Sequence, residues 1–520
     1  MSPAETPAAL GFRMPAEWEP HHATWLGWPH NRSDWPGKIT TVQWVYGEIV
    51  RKLAPGEIAR ILVNSAAHER QARRVLERVG IDLGGGRVEF FRFPTNRGWT
   101  RDFGPVFLRR DQSPAELAVA RFRFNAWAKY PDWKHDDRIP VRAAKRLGLR
   151  LFPARAGARD VALEGGSIDV NGHGSLLATE ECLLDRTVQA RNPALERADI
   201  EAVLRDYLGV TQVLWLGKGI AGDDTHGHVD DVCRFVGPRT VVLCRETNPG
   251  DANYRALEEN RERLAGMRLE DGSTVEGVPL PMPTPLFFDR RRLPASYANF
   301  YIANAAVLVP TFNDPNDRIA LGILAELFAD RPVVGIHAVD LVWGLGTIHC
   351  LTQQEPAAVS RKPQAVSAFQ PKVERERTDR RGFGDGSNAS LTYIARVGHF
   401  KDLKAWQHAR NLAVLSKAAI ARLPDSERDG LADQWRRAAY SVALNIAEGA
   451  SRRGVKDFRK HLDIARASLH EIEAILDLVL ALEYFCPDEL AQLQATRDEC
   501  AKTVYGLLRK LPDGPKQPGR

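Results

Sequence analysis

The chain has 520 residues, of which 44% are hydrophobic and 27% are charged, and its formal net charge is +6. This length suits two or three domains, and this composition excludes wholesale disorder. No apolar stretch approaches the ~18 residues of a membrane span, the first ten residues lack the features of a secretory signal, and scattered cysteines exclude a disulfide scaffold. We therefore expect a cytoplasmic protein with reduced thiols.

The excess positive charge lies in the last third of the chain. Residues 1–356 carry 44 basic and 45 acidic residues, whereas residues 357–520 carry 28 basic and 21 acidic ones. This asymmetry indicates two units with different partners rather than one uniformly basic protein. Residues 357–397, which join the two units, are polar and lack a hydrophobic period, which predicts a flexible linker.

Short apolar strands alternate with helical segments in the first unit. Strands are predicted at residues 58–64, 87–93, 174–180, 211–217, 239–244, 305–310 and 331–336. Helices are predicted between them, at residues 65–79, 195–207 and 252–265. Alternating strands and helices favour an α/β or α+β fold. The sequence shows no strict internal repeat.

The hydrophobic period becomes helical beyond residue 397. From Leu462 to Leu482, apolar residues recur every three or four positions over about six turns, as on one face of an amphipathic helix. Pro424 and Pro487 stand where turns are needed. Four antiparallel helices are predicted at about 402–422, 427–448, 454–485 and 488–510, so residues 398–512 form an all-α four-helix bundle.

Polar residues interrupt the strand-like runs of the first unit at three places. They are WTRDFGP (99–105), LEGGSID (163–169) together with THGHVDD (225–231), and GTIHC (346–350). Each places a carboxylate, an imidazole or a thiol beside glycine, which lets a loop approach a ligand closely. These segments are the candidates for a functional site.

Two other interpretations of this region are weaker. Residues 217–222 spell GxGxxG, but no apolar-periodic helix start follows, so a dinucleotide site is not expected. His226, His228, Asp230 and Asp231 have metal-ligand spacing, yet no second tight cluster completes a binuclear site. We expect no metal and no organic cofactor. The cysteines other than Cys350 are expected to be plain core or helix residues.

Taken together, the motifs resemble the agmatine deiminase branch of the guanidine-modifying (pentein) superfamily, and bacterial peptidylarginine deiminases share much of the pattern. The motifs are MPAEWEPHHATWLGWP (14–29), WTRDFGP, LEGGSID followed by ATEECLL (178–184), RNP (191–193), GHVDDVCRF (227–235), YANFYIAN (297–304) and GTIHCLTQQEP (346–356). The resemblance implies an α/β (α+β) pentein fold, a pseudo-fivefold propeller of ββαβ units, for residues 11–356. One departure is Leu345, in a loop that is usually glycine-rich, and it bears on catalytic efficiency.

Guanidinium chemistry accounts for the polar residues independently of this resemblance. A guanidinium is planar and cationic, and two carboxylates can bind its N–H pairs in fork geometry. We assign this role to Asp102 and Asp230, with Trp99 close enough to line the pocket. The resemblance implies the same carboxylates.

The guanidinium carbon is a poor electrophile, so a thiolate is the best nucleophile available among the side chains. We assign the attack to Cys350, with the bound cation and neighbouring His349 favouring the thiolate. His228 is expected to protonate the departing ammonia and then to take a proton from water. Glu164 is expected to hold His228 in the useful tautomer and favour its protonated form.

These assignments predict hydrolysis of agmatine to N-carbamoylputrescine and ammonia through a covalent thiouronium on the cysteine, a step toward putrescine and other polyamines. The first alternative is deimination of arginine in peptides. The second is a catalytically silent protein that acts through its basic bundle as an RNA- or ribosome-associated factor. The intact set of Cys350, His228, Glu164, Asp102 and Asp230 favours an enzyme.

The second unit resembles the small helical proteins encoded in intervening sequences of bacterial 23S ribosomal RNA genes. The segments FKDLKAWQHA (400–409), SVALNIAEGASRR (441–453) and DFRKHLDIARASLHEIEAIL (457–476) carry this resemblance. It implies a homo-oligomer formed through the bundle. RNA contact is a weaker expectation, and it rests on basic positions that equally suit a solvated face: Arg436, Arg437, Arg452, Arg453, Lys456, Arg459 and Lys460.

Overall fold

The computed structural model describes residues 5–112, 114–358, 400–424, 427, 431–451 and 455–511. The chain divides into two units, residues 1–371 and 372–520. Nearly all of the predicted linker, residues 357–397, lies outside the described residues. Within the described ranges, no helix combines the length and the apolar character that a membrane crossing requires.

The first unit contains twenty short strands and nine helices among its described residues. The strands are β1 (His21–Gly27), β2 (Ile58–Leu62), β3 (Val88–Phe91), β4 (Val106–Arg110), β5 (Glu116–Arg121), β6 (Arg150–Pro153), β7 (Arg155–Ala156), β8 (Arg159–Asp160), β9 (Asp169–Val170), β10 (Ser175–Thr179), β11 (Gln212–Leu216), β12 (Cys233–Phe235), β13 (Thr240–Arg245), β14 (Glu276–Pro281), β15 (Phe287–Phe288), β16 (Arg291–Arg292), β17 (Tyr301–Ile302), β18 (Val307–Thr311), β19 (Val333–His337) and β20 (Thr352–Pro356). The helices are α1 (Ile39–Leu53), α2 (Ala66–Arg78), α3 (Thr100–Phe103), α4 (Ile139–Leu147), α5 (Glu180–Leu183), α6 (Arg197–Leu208), α7 (Tyr254–Ala265), α8 (Pro315–Leu327) and α9 (Ile348–Leu351).

Five of the sheets share one topology. Their strand orders are β20-β1-β2-β3, β4-β5-β6, β9-β10-β11, β12-β13-β14 and β17-β18-β19. In each sheet, in the order given, the first and second strands pair antiparallel, and the second and third strands pair parallel. A parallel pair needs a crossover connection, which is supplied in turn by α1, α4, α6, α7 and α8.

This pattern is a fivefold repeat of ββαβ units, and it confirms the expected fold class of the first unit. The repeat is invisible in the sequence because β-strands of two to seven residues carry too little pattern to align. The unit closes on itself, since β20 at its end pairs antiparallel with β1 near its start, Leu26 facing Thr352. The core packs three fully buried tryptophans, Trp25, Trp28 and Trp35.

The described residues of the second unit form four long helices, α10 (Lys404–Ile420), α11 (Leu431–Ser451), α12 (Val455–Ala481) and α13 (Pro487–Lys510). The expected all-α class is confirmed, with different ends for two helices. The described part of the second helix begins at Leu431, after the predicted start at 427. The third helix ends at Ala481, before the predicted 485, because Glu483 takes a left-handed backbone conformation that turns the chain. Fully buried residues such as Trp435 and Leu462 form the core of the second unit.

Candidate active site

Five equivalent segments of the first unit meet at one place. Each lies just before the first strand of its ββαβ unit, and they are α3, the turn Gly165–Ser167, the turn Val229–Asp231, the segment 297–299 and α9. Because the five units are related by the same topology, the positions before their first strands converge. The sequence-predicted residues Asp102, Glu164, His228, Asp230 and Cys350 all lie in or beside these segments.

A cavity of about 430 Å³ reaches two of these segments, α3 and α9. Trp99, Asp102 and Cys350 line it directly. The cavity wall carries more acidic than basic side chains, with Asp34, Asp102, Asp224 and Asp289 facing Arg97 and Arg291. Such a wall suits a small cationic ligand.

Asp102 is held rigidly at the cavity wall. One carboxylate oxygen, Oδ1, accepts a hydrogen bond from the Gly166 amide at 3.1 Å, and Oδ2 accepts one from the Trp127 indole at 2.9 Å. Burial raises the pKa of Asp102 to about 6, although neighbouring His228 acts in the opposite direction. A bound cation would strongly favour the charged carboxylate.

His228 lies between two carboxylates and is fully buried. Its Nδ1 is 3.7 Å from Asp102 Oδ1, and its Nε2 is 3.6 Å from Glu164 Oε2. Neither ring nitrogen has a hydrogen-bond partner among the described residues. Burial lowers the pKa of His228, but Asp102, Cys182 and Glu164 more than offset this, so the pKa lies well above its usual value. This imidazole is therefore set up as a proton donor.

Glu164 is oriented by a buried arginine. The Arg191 Nε donates to both Glu164 carboxylate oxygens, at 3.3 and 3.2 Å. Burial raises the pKa of Glu164, yet the charges of Arg191 and His228 bring it below its usual value. A carboxylate fixed in this way stabilises a protonated His228.

Asp230 is fully buried next to the cysteine. Its Oδ2 accepts a hydrogen bond from His349 Nδ1 at 2.7 Å, while its Oδ1 has no partner among the described residues. Burial raises the pKa of Asp230, but the hydrogen bond and charge of His349 bring it below its usual value. Asp230 therefore keeps a charged carboxylate with a free oxygen.

Cys350 is almost fully buried at the first turn of α9. Its Sγ accepts a hydrogen bond from Asn299 Nδ2 at 3.2 Å and lies 3.8 Å from Asp230 Oδ2. Burial, together with the charges of Asp230, Asp231 and Asp102, raises the pKa of the Cys350 thiol well above its usual value. The sulfur therefore needs an added positive charge before it ionises readily.

The loop before Cys350 is tight. Trp99 packs against Trp35 with ring centroids 4.9 Å apart, and both rings leave no room beside Gly344. Leu345 has φ of +71°, the left-handed conformation that favours glycine. This explains why glycine is the expected residue there and why Leu345 strains the backbone, by about 1–2 kcal/mol.

Gly346→Ala tests how closely this loop must approach the cysteine. An added Cβ would lie 2.8 Å from Trp99 Cζ3 and 3.1–3.2 Å from Cβ and Sγ of Cys350. We expect at least a tenfold loss of kcat/KM, because the side chains that shift are the nucleophile and the cavity wall. The matched control is Gly322→Ala on α8, where nothing lies within 4 Å of the new Cβ. Equal kinetics for both variants would contradict a packing role for Gly346.

The metal-binding interpretation finds limited support. His226 Nε2 lies 2.7 Å from Asp185 Oδ2, so the His226 ring is hydrogen-bonded to a residue that is not one of the proposed metal ligands. Among the described residues, Glu164, Cys182 and His228 bring three potential ligand atoms within 4.8 Å of one another. Arg191, however, occupies both Glu164 oxygens, and a buried guanidinium opposes a cation there. Cys182 is a buried core and helix residue as expected, and it also lies close to His228.

Four supporting residues were not assigned from the sequence: Asn299, Trp127, Arg191 and Glu17. Asn299 and Arg191 fall inside motifs that the sequence analysis singled out, so the motifs themselves were the available signal. Trp127 lies in none of the motifs. Glu17 lies in the N-terminal motif, which is distant in sequence from the other site residues. His349 was expected to act on Cys350, but its ring is hydrogen-bonded to Asp230 and Glu17.

Several known proteins are similar to the first unit in sequence and fold. An agmatine deiminase of Pseudomonas putida is 37% identical over 379 residues, covering 68% of this chain and 98% of that protein. The structure of an Enterococcus faecalis agmatine deiminase superposes with a TM-score of 0.62 at 32% identity, covering 68% of this chain and 98% of that one. A substrate-bound cysteine-to-serine variant of C. jejuni agmatine deiminase superposes with a TM-score of 0.58 at 28% identity, covering 67% and 97%.

Two family models match separate parts of the chain. Residues 401–506 match the model of the 23S rRNA-intervening sequence protein, as the second unit's motifs suggested. Residues 13–356, well over half of the chain, match the model of the Porphyromonas-type peptidyl-arginine deiminase. The chain therefore belongs to the Porphyromonas-type peptidyl-arginine deiminase family, with a second, helical family joined at its C-terminal end.

Proposed function

We propose that the protein hydrolyses the guanidino group of agmatine, giving N-carbamoylputrescine and ammonia. The observation that carries this proposal is the convergence of one thiol, one imidazole and three carboxylates beside a cavity of about 430 Å³, which Cys350 and Asp102 line. The agmatine deiminases of P. putida and E. faecalis are similar over nearly their whole lengths, which supports the choice of substrate. The product then enters putrescine and polyamine synthesis.

Two carboxylates bind the substrate in this proposal. Asp102 and Asp230 take the N–H groups of the guanidinium, and the free Oδ1 of Asp230 is available to accept one of them. The bound cation then lies beside Cys350 and offsets the carboxylates that raise the pKa of its thiol. Substrate binding thus promotes the thiolate that attacks it.

Proton transfer completes the reaction. The Cys350 sulfur bonds to the guanidinium carbon, and His228 gives a proton to one terminal nitrogen, which leaves as ammonia. A water molecule then adds to the thiouronium carbon while His228 takes a proton from it. Collapse breaks the carbon–sulfur bond, releases the ureido product and restores the thiolate, and the remaining hydroxyl proton goes to the released ammonia. Glu164 keeps His228 oriented through both steps.

Deimination of arginine in peptides is a second candidate, and the description of the matching family model favours it. A substrate panel separates the two. Purified protein is incubated with agmatine, free arginine and a peptidylarginine, and the ureido product and ammonia are measured. Agmatine with the highest kcat/KM supports the proposal, whereas a preference for the peptide assigns the second candidate.

We propose that the catalytic unit, residues 11–356, and the bundle, residues 398–512, fold independently on either side of the linker 357–397. Each described unit has a buried core of its own, Trp25 and Leu26 in one and Trp435 and Leu462 in the other. Homo-oligomer formation through the bundle, RNA contact by its basic face and a cytoplasmic location stay predictions. A silent RNA-binding protein is disfavoured by the complete site.

The fragment 1–360 is expected to keep deiminase activity, because every proposed catalytic group lies at or before Cys350. The fragment 398–520 is expected to be helical by circular dichroism. The kcat/KM of fragment 1–360 and the thermal unfolding of both fragments are compared with those of the full chain. A soluble, folded 1–360 fragment that is inactive until 398–520 is added would contradict independent units.

A further inference from the structure

Glu17 is a buried carboxylate that the proposed mechanism does not use. It lies in the segment before β1 and is 4% exposed. Its Oε2 accepts hydrogen bonds from His349 Nε2 at 2.8 Å and from Arg101 Nη2 at 3.0 Å. Its Oε1 accepts one from the Ile302 amide at 2.8 Å and pairs with Arg234 Nη2 at 3.0 Å. Both carboxylate oxygens are therefore fully engaged.

The partners of Glu17 come from segments that also carry the site. Arg101 is next to Asp102 in α3, and His349 is next to Cys350 in α9. Arg234 belongs to β12, which follows Asp230. One carboxylate in the N-terminal segment thus ties three site-bearing segments together.

His349 stands between Glu17 and Asp230. Its Nδ1 lies 2.7 Å from Asp230 Oδ2, and its Nε2 lies 2.8 Å from Glu17 Oε2. A carboxylate only accepts hydrogen bonds, so both contacts are satisfied only when both ring nitrogens carry protons. The geometry therefore calls for an imidazolium at this position.

The charges of the buried cluster agree with that state. Three carboxylates, on Glu17, Asp169 and Asp230, face the guanidinium groups of Arg101 and Arg234 and the ring of His349. All six residues are less than 9% exposed. With His349 protonated, the three negative and three positive charges balance, as buried charges require.

We propose that Glu17 is a positioning residue, which holds His349 as an imidazolium so that its Nδ1–H keeps the Asp230 carboxylate aimed at the guanidinium. This inference rests on the proposed function of the site. Asp230 then offers its free Oδ1 to the substrate while Oδ2 stays bound to the ring. Loss of the ring proton would leave Asp230 without its donor.

The direction in which the pKa of Glu17 is shifted is consistent with this arrangement. Burial raises the pKa of Glu17, but Arg234, His349 and Arg101 bring it well below its usual value. Glu17, Asp169 and Asp230 interact with His349 directly, Arg101 donates to its carbonyl oxygen, and Arg234 pairs with Glu17 and Asp169. His228 and Asp231 act on Asp230 as well. Removing the Glu17 charge leaves two carboxylates against two guanidinium groups, so the charge of the imidazolium is no longer balanced.

Glu17→Gln keeps the size of the side chain and removes its charge. We expect the alkaline limb of the kcat/KM profile for agmatine to move to lower pH, because the imidazolium loses one of the two carboxylates that its N–H groups bind. Glu17→Asp, which keeps the charge, should move the limb by less than half as much. A Glu17→Gln profile that coincides with wild type overturns the proposal, whatever the change in stability.

The matched control is Glu57→Gln. Glu57 is also a buried carboxylate bound to a histidine, His21 at 3.2 Å, but that pair lies outside the site. Its loss should lower thermal stability without moving the alkaline limb. A shift equal to that of Glu17→Gln overturns the proposal, because it would make the effect a general one of buried charge.

A second measurement needs neither a variant nor turnover. In the wild-type chain with ¹⁵N-labelled histidine, the His349 ring should carry protons on both nitrogens at neutral pH. A neutral His349 ring overturns the inference. Because this readout needs no activity, an inactive wild-type protein would refute the proposed function while the spectrum still decides the role of Glu17.

Discussion

Cys350→Ala is expected to abolish agmatine turnover while leaving the fold intact. The thiol lines the cavity and lies 3.8 Å from Asp230 Oδ2. Without it, water must attack a guanidinium carbon that is a poor electrophile, so kcat should fall by several orders of magnitude. Ammonia release and far-ultraviolet circular dichroism measure the two parts of this prediction.

Two comparisons make the cysteine result specific. Cys350→Ser keeps the size of the side chain with a weaker nucleophile and should be nearly as inactive. Chelating agents should leave the wild-type rate unchanged. A Cys350→Ala protein that stays active and loses its activity with a chelator would contradict the thiol mechanism and favour a metal-dependent one.

Asp230→Asn is expected to lower kcat/KM by at least tenfold, and by more than Asp102→Asn does. A hydrogen bond to a charged group is worth about 1.5–3 kcal/mol, and ~1.4 kcal/mol is tenfold. Both changes weaken guanidinium binding, but Asp230 also holds the His349 ring at 2.7 Å. Its loss therefore disturbs a buried cation as well as the substrate.

Steady-state kinetics of both variants with agmatine check this order. Asp160→Asn, at a partly exposed carboxylate paired with Arg155, is the matched control and should stay within about twofold of wild type. Wild-type kinetics for Asp230→Asn or Asp102→Asn would place the guanidinium elsewhere.

The fold could be predicted from the sequence as a class, and in its fivefold form only through the family resemblance. Strands such as β11 and β13 were visible because alternating or continuous apolar residues stand between turn signals. Strands of two residues, such as β9 and β17, carry no such pattern and depend on neighbours that are distant in sequence. The closure of β20 on β1 is likewise a long-range pairing that no local signal marks.

The candidate site was predictable where a reactive side chain stands beside glycine or another polar residue, as at Asp102, Glu164, His228 and Cys350. Those positions share a place before the first strand of a unit, which explains why separate motifs converge. Glu17 gives no such signal, since its partners come from distant segments. Its role becomes visible only once those segments are packed together.

The covalent intermediate tests the central claim most directly. Wild-type protein is mixed with agmatine, quenched in acid during turnover, digested and examined by mass spectrometry. The peptide that contains Cys350 should carry an adduct equal in mass to agmatine minus ammonia, absent without substrate and absent in Cys350→Ala. An adduct on another residue, such as Cys182, while product accumulates would contradict the proposed mechanism. Turnover that stays intact in Cys350→Ala would contradict it as well.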